Sequence, residues 1–175
     1  MNNLIRLVEN QARIIEDDPW QLFEAGSTSD APLILSLAQW RERQTPAVLA
    51  GEAMSRDALL LQVGDEPEVL QPWFASLPLI AIDFPSFRDG RGYSQAYLLR
   101  TRLGWRGELR AVGDVLRDQL AHMRQCGFDA FAVRADKSLA DALKGLAGLS
   151  VLYGRSAIEP RPLFRRERLK GEQPS

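Results

Sequence analysis

Asp83, Arg88, Arg91 and Asp114 are the residues of this chain best suited to chemistry. The loop Arg88-Asp89-Gly90-Arg91-Gly92 stands between an apolar run, residues 79–84, and a helix-like run. Two loop arginines can grip a carboxylate, sulfite or phosphate by bidentate hydrogen bonds. Gly90 and Gly92 allow backbone N–H groups close to a ligand, and a helix N-terminus favours an anion. The same residues also read as a structural turn, with Asp89 as helix N-cap and the glycines in unusual backbone angles. Asp83 lies near the end of the apolar run, and Asp114 just beyond a second run, 108–112. Neighbouring parallel strands would bring the two carboxylates to one edge, where they could do acid–base work. Asp114 equally suits capping a helix from Val115, with Asp118 in its first turns. Asp83 equally suits an ion pair with Arg88, Arg110 or Arg117.

Other reactive types are sparse. His122 and Cys126 are the only histidine and cysteine. Their i, i+4 spacing puts them on one helix face. Catalytic Cys–His pairs come from separate elements, so a packing cysteine is the better reading. A zinc site or an iron–sulfur cluster needs a fuller ligand set, and no metal is expected. No GxGxxG fingerprint or Walker loop occurs, so no resident cofactor is expected.

The elements that must position these residues alternate. Residues 4–8 and 12–15 read as an N-terminal β-hairpin, and 26–30 as a loop. Strands are expected at 33–35, 59–63, 79–84, 108–112 and 130–133, with a short one at 150–153. Helices are expected at 37–44, with Ser36 as cap, and at 66–75, where Pro72 disturbs the end. A further helix uses Ala96, Leu99 and Leu103, with Gly104 as its stop. Leu116, Leu120 and Met123 mark the next, with Gly127 as C-cap, and 138–146 the last. This pattern predicts an α/β fold: a mostly parallel sheet with helices on both faces, plus the hairpin. A partial barrel-like β/α arrangement is the alternative. One domain over 1–159 is expected, with the hairpin at 4–15 and the β/α body at 32–153. A flexible basic tail, 160–175, follows.

The chain has 175 residues and a formal net charge of −1. That balance argues against nucleic-acid binding. No apolar run reaches the ~20 residues of a membrane helix, and no secretory signal is evident. A soluble cytoplasmic protein is expected. Trp20, Trp40, Trp73 and Trp105 read as packing residues, although exposed tryptophan and arginine could serve a homodimer contact.

Three motifs carry a resemblance: Phe84-Pro85-Ser86-Phe87-Arg88-Asp89-Gly90-Arg91-Gly92, Leu109-Arg110-Ala111-Val112-Gly113-Asp114 and Cys126-Gly127-Phe128-Asp129. With them the segment 79–131 closely resembles an uncharacterised bacterial family encoded beside sulfite or nitrite reductase haemoprotein genes. Its members are often named as oxidoreductases of sulfite reduction. The resemblance implies an accessory protein of assimilatory sulfite reduction, with the haemoprotein reductase as partner. The residues themselves leave an alternative open: a small α/β enzyme or binding protein for an anionic metabolite. In that reading Arg88, Gly90, Arg91 and Gly92 bind the anion, and Asp83 or Asp114 is the acid/base.

Overall fold

The computed structural model describes residues 1–26 and 29–147. Eight strands form one curled, half-barrel sheet: β1 (Leu4–Val8), β2 (Gln11–Ile15), β3 (Gln21–Leu22), β4 (Leu33–Ser36), β5 (Ala58–Leu61), β6 (Leu79–Phe84), β7 (Glu108–Gly113) and β8 (Ala130–Ala132). Their order is β2-β1-β8-β7-β6-β5-β4-β3. β3 to β8 run parallel, whereas β1 pairs antiparallel with both β2 and β8. The sheet is therefore mixed rather than mostly parallel, because the N-terminal hairpin adds to it through β8. The partial-barrel alternative fits. The expected strand at 150–153 and the tail at 160–175 lie outside the described residues.

Five α-helices accompany the sheet: α1 (Leu37–Arg43), α2 (Pro46–Leu49), α3 (Arg91–Thr101), α4 (Arg117–Cys126) and α5 (Leu139–Ala147). Gln39 Oε1 accepts both the Ser36 N–H (3.2 Å) and its hydroxyl (2.8 Å), fixing the start of α1. The expected helix at 66–75 is a 3₁₀ helix, Pro67–Trp73. Pro72, inside it, lacks the N–H donor that an α-helix would use there, whereas Pro67 stands at the first position, where none is needed. Gly127, at φ 111°, closes α4 as the sequence suggests. The hairpin turn places Glu9 and Asn10 at φ 50° and 63°, a turn whose twist matches that of the strands.

Among the described residues the helices do not lie on both faces of the sheet. Trp40 of α1, Val48 of α2, Leu70 of the 3₁₀ helix, Leu99 of α3, Leu120 of α4 and Ala142 of α5 all join one core cluster. The cause is the strand order. From β4 to β8 each parallel strand lies beside its predecessor, with no reversal. Right-handed crossovers that always step the same way set every helix on the same face. The other face carries a smaller cluster, Ile34, Ala58, Leu79, Ala81 and Val112, with Met1 and Trp20 packed on it.

Side chains alternate accordingly along β6. Ile80, Ile82 and Phe84 face the helices, and Leu79, Ala81 and Asp83 the other side. Two glycines set the spacing around β6. A Cβ on Gly92 would come 2.6 Å from the Phe84 ring, so only glycine lets α3 lie this close to the strand. Gly113 has φ +93°, and a Cβ there would meet the Phe84 carbonyl oxygen at 2.5 Å.

Candidate functional site

The C-terminal ends of β6, β7 and β8 bring together Asp83, the loop 85–90, Asp114 and Arg134. β6 and β7 are in register from Leu79↔Glu108 to Phe84↔Gly113, so Asp83 and Asp114 do emerge at one edge. Their environments differ.

Asp114 is fully engaged. One carboxylate oxygen accepts the Phe87 N–H at 2.8 Å, and the other accepts Arg134 Nη1 at 2.9 Å. Its own N–H donates to the Phe84 carbonyl at 2.7 Å. It does not cap α4, which starts two residues later than expected, at Arg117 after Leu116. There Gln119 accepts the Leu116 N–H through Oε1. Its Nε2 reaches back to the Phe87 carbonyl at 2.6 Å. Phe87 is thus pinned through both its backbone groups, by Asp114 and by Gln119.

Asp83 is half-buried, and its Oδ1 lies against Gly113. Burial pushes its carboxyl above the usual value, with no opposing contribution from a donor or a cation. It pairs with none of Arg88, Arg110 and Arg117, the partners expected for it. Arg110 binds Asp18 (2.8 Å) and Glu108 (2.7 Å), and Arg117 binds Asp141 (2.9 Å). Arg88 stacks its guanidinium 5.4 Å from the Phe87 ring centroid.

The arginine–glycine loop departs from a ready anion clamp. Arg91 is held by Asp89, Nη2 to Oδ2 at 2.7 Å and Nε to Oδ1 at 3.1 Å. That hydrogen bonding keeps the Asp89 carboxyl below its usual range. Asp89 also accepts the Arg91 N–H at 3.0 Å, from one position before the Gly90 N-cap. Neither Gly90 nor Gly92 has a positive φ, so the unusual-angle reading of these glycines does not apply. Gly92 serves helix–strand packing instead. Arg88 and Phe87 are left pointing outward, with Phe87 45% exposed.

His122 and Cys126 share a face of α4, with Sγ 4.0 Å from Nε2. The thiol is buried and pushed up by that burial, opposite to what a nucleophile needs. The Tyr93 ring lies 4.5 Å from the His122 ring. Trp40 and Trp105 are buried, while Trp20 and Trp73 are partly buried against the core.

Sequence reasoning missed Arg134 and Gln119, which order the edge. Their only signal is position: Arg134 follows β8, and Gln119 stands three residues after Leu116, the N-cap of α4. It also missed the charged core on the face away from the helices. There Arg110 is fully buried, as is the Asp18 side chain, which additionally accepts Arg6 at 3.5 Å. Burial pushes the Asp18 carboxyl up, but its bonds to Arg110 outweigh this and hold it below its usual value. No group of three or more metal-ligating side chains occurs among the described residues, and no described helix is long and apolar enough to cross a membrane.

The family model described as "Bacterial protein of unknown function (DUF934)" matches residues 58–164, more than half of the chain, and the chain belongs to that family. The match takes in β5 to α5 and every residue of the strand edge described above. No curated protein and no solved structure gives a significant match.

Proposed function

We propose that this member of a bacterial family of unknown function is an accessory protein of assimilatory sulfite reduction that docks on the haemoprotein sulfite or nitrite reductase. One observation supports docking: residues 84–92, one of the three motifs that carry the resemblance, present Phe87 and Arg88 outward from a loop pinned by Asp114 and Gln119. An aromatic residue with an arginine stacked on it, on a pre-ordered backbone, is the composition of an interface anchor. Little ordering entropy is left to lose on binding. Arg91, neutralised by Asp89, has the role of fixing the loop rather than of gripping a free anion.

The test is a binding titration against the purified reductase. Phe87→Ala with Arg88→Ala is expected to weaken binding at least tenfold while the unfolding midpoint holds. Undiminished binding by the double variant would sink the docking reading. A deletion strain is expected to grow on sulfide or cysteine but not on sulfite, and normal growth on sulfate would remove the pathway assignment.

Asp83 supports a second reading, an enzyme or binding protein for an anionic metabolite. A half-buried carboxyl with a raised pKa at the end of a central strand is suited to proton transfer. Arg88, exposed and without an ion pair among the described residues, is a source of positive charge on the adjoining loop, whereas Arg134 is held by Asp114 and Asp136. Saturable heat on titrating sulfite or a carboxylic acid, weakened in Arg88→Ala and kept in Asp83→Asn, would favour it over docking.

A further inference from the structure

At the opposite ends of the strands lies a cavity of about 420 Å³. It opens between the hairpin turn and the segments that lead into β7 and β8. Leu7, Trp105 and Phe128 supply its apolar lining, and Trp105 and Phe128 are themselves buried. Arg100, Arg106 and Arg124 supply its positive charge.

Arg100 is already spent. It donates to the carbonyls of Gly127 (2.9 Å), Trp105 (2.9 Å) and Gly107 (2.8 Å), and pairs with Asp129 at 3.4 Å. The other Asp129 oxygen accepts the Leu109 N–H at 2.7 Å. This pair is structural: it ties the end of α3 to the starts of β7 and β8. Arg106 and Arg124 are different. Among the described residues neither meets a carboxylate, and the one hydrogen bond of Arg124 is a 3.5 Å contact to the Asn10 carbonyl. Glu9 is the remaining acid on the lining.

We infer that this cavity is a binding site for a small organic anion, separate from the strand edge that carries Asp83. Arg106 and Arg124 hold its single carboxylate or phosphate group, and its apolar body lies against Leu7 and the exposed edge of Trp105. The volume suits a small molecule, and two arginines with an apolar wall match the usual make-up of such sites. Glu9 disfavours a second acidic group on the same ligand.

The test titrates the full chain with phenyl phosphate, benzoate and inorganic phosphate, following the Trp105 indole N–H and the Gly127 amide by NMR. Saturable shifts with phenyl phosphate or benzoate are expected, with inorganic phosphate at least tenfold weaker. Arg106→Ala with Arg124→Ala should weaken the organic anion at least tenfold. Arg106→Gln alone, at an exposed position, should weaken it several-fold without touching the fold. The site is overturned by three outcomes: no saturable shift, shifts unchanged in a folded variant, or inorganic phosphate bound as tightly as phenyl phosphate. Failure here leaves the Phe87–Arg88 docking result untouched, since the two sites share no residue.

Discussion

Along β6 and β7, alternate residues serve two unlike faces. Ile80, Ile82, Phe84, Leu109 and Ala111 meet the helices in one apolar cluster. On the reverse, Leu79, Ala81 and Val112 share the surface with Glu108, Arg110 and the half-buried Asp83. The apolar face sums many small contributions, so losing one side chain takes a proportionate share. On the charged face Arg110 and Asp18 are each other's buried partners in a network that also holds Glu108 and Arg6, so losing one leaves the other buried and only partly compensated.

The comparison is tested most severely at Arg110. Arg110→Met should cost up to about 3–5 kcal/mol in urea unfolding at neutral pH, because buried Asp18 loses its shortest ion pair (2.8 Å) and keeps longer ones such as Arg6 at 3.5 Å. The penalty should shrink in acid. The folded Asp18 carboxyl titrates below the usual 3.8, so its contribution is present above 3.8 and is lost as pH falls through the lower folded value. A cost under about 1 kcal/mol at neutral pH would show that the network adds nothing beyond packing.

Leu120→Ala, on the helix-covered face, should cost about 2–5 kcal/mol with no such pH dependence. A loss as pH-sensitive as that of Arg110→Met would break the distinction between the faces.

Asp83→Asn should give the smallest change, and of opposite sign. Burial raises the folded carboxyl above 3.8, so ionising Asp83 costs stability as pH rises past that value. The variant should therefore gain less than about 1 kcal/mol at neutral pH, after solvent screening, and nothing below pH 3.8. A loss at neutral pH would mean that Asp83 has a stabilising partner.

Much of the local structure was legible because it is written in short-range signals. The hairpin, the apolar run 79–84 and the Gly127 cap each depend on residues a few positions apart. The meeting of Asp83 and Asp114 at one edge also followed once β6 and β7 were read as neighbours. The side on which the helices pack was not legible, since it depends on strand order and not on any one strand's pattern. Nor was the pairing of Asp18 with Arg110, whose partners stand 92 positions apart. Phe87 shows the same limit. Its exposure depends on Asp114 and Gln119, which arrive from a later loop and helix.

The hairpin carries one further consequence, which concerns time. β1 and β2 leave the ribosome well before β8, yet the edge β1 needs is on β8, with Leu4 opposite Ala132. For most of synthesis the hairpin can turn on itself but has an open, hydrogen-bond-hungry side. Contacts this distant in sequence form slowly, and unpaired strands invite wrong partners meanwhile. Closure of β1 onto β8 is therefore expected to be the late, rate-limiting event of maturation. A nascent chain stopped short of residue 130 should stay protease-sensitive throughout its first strands.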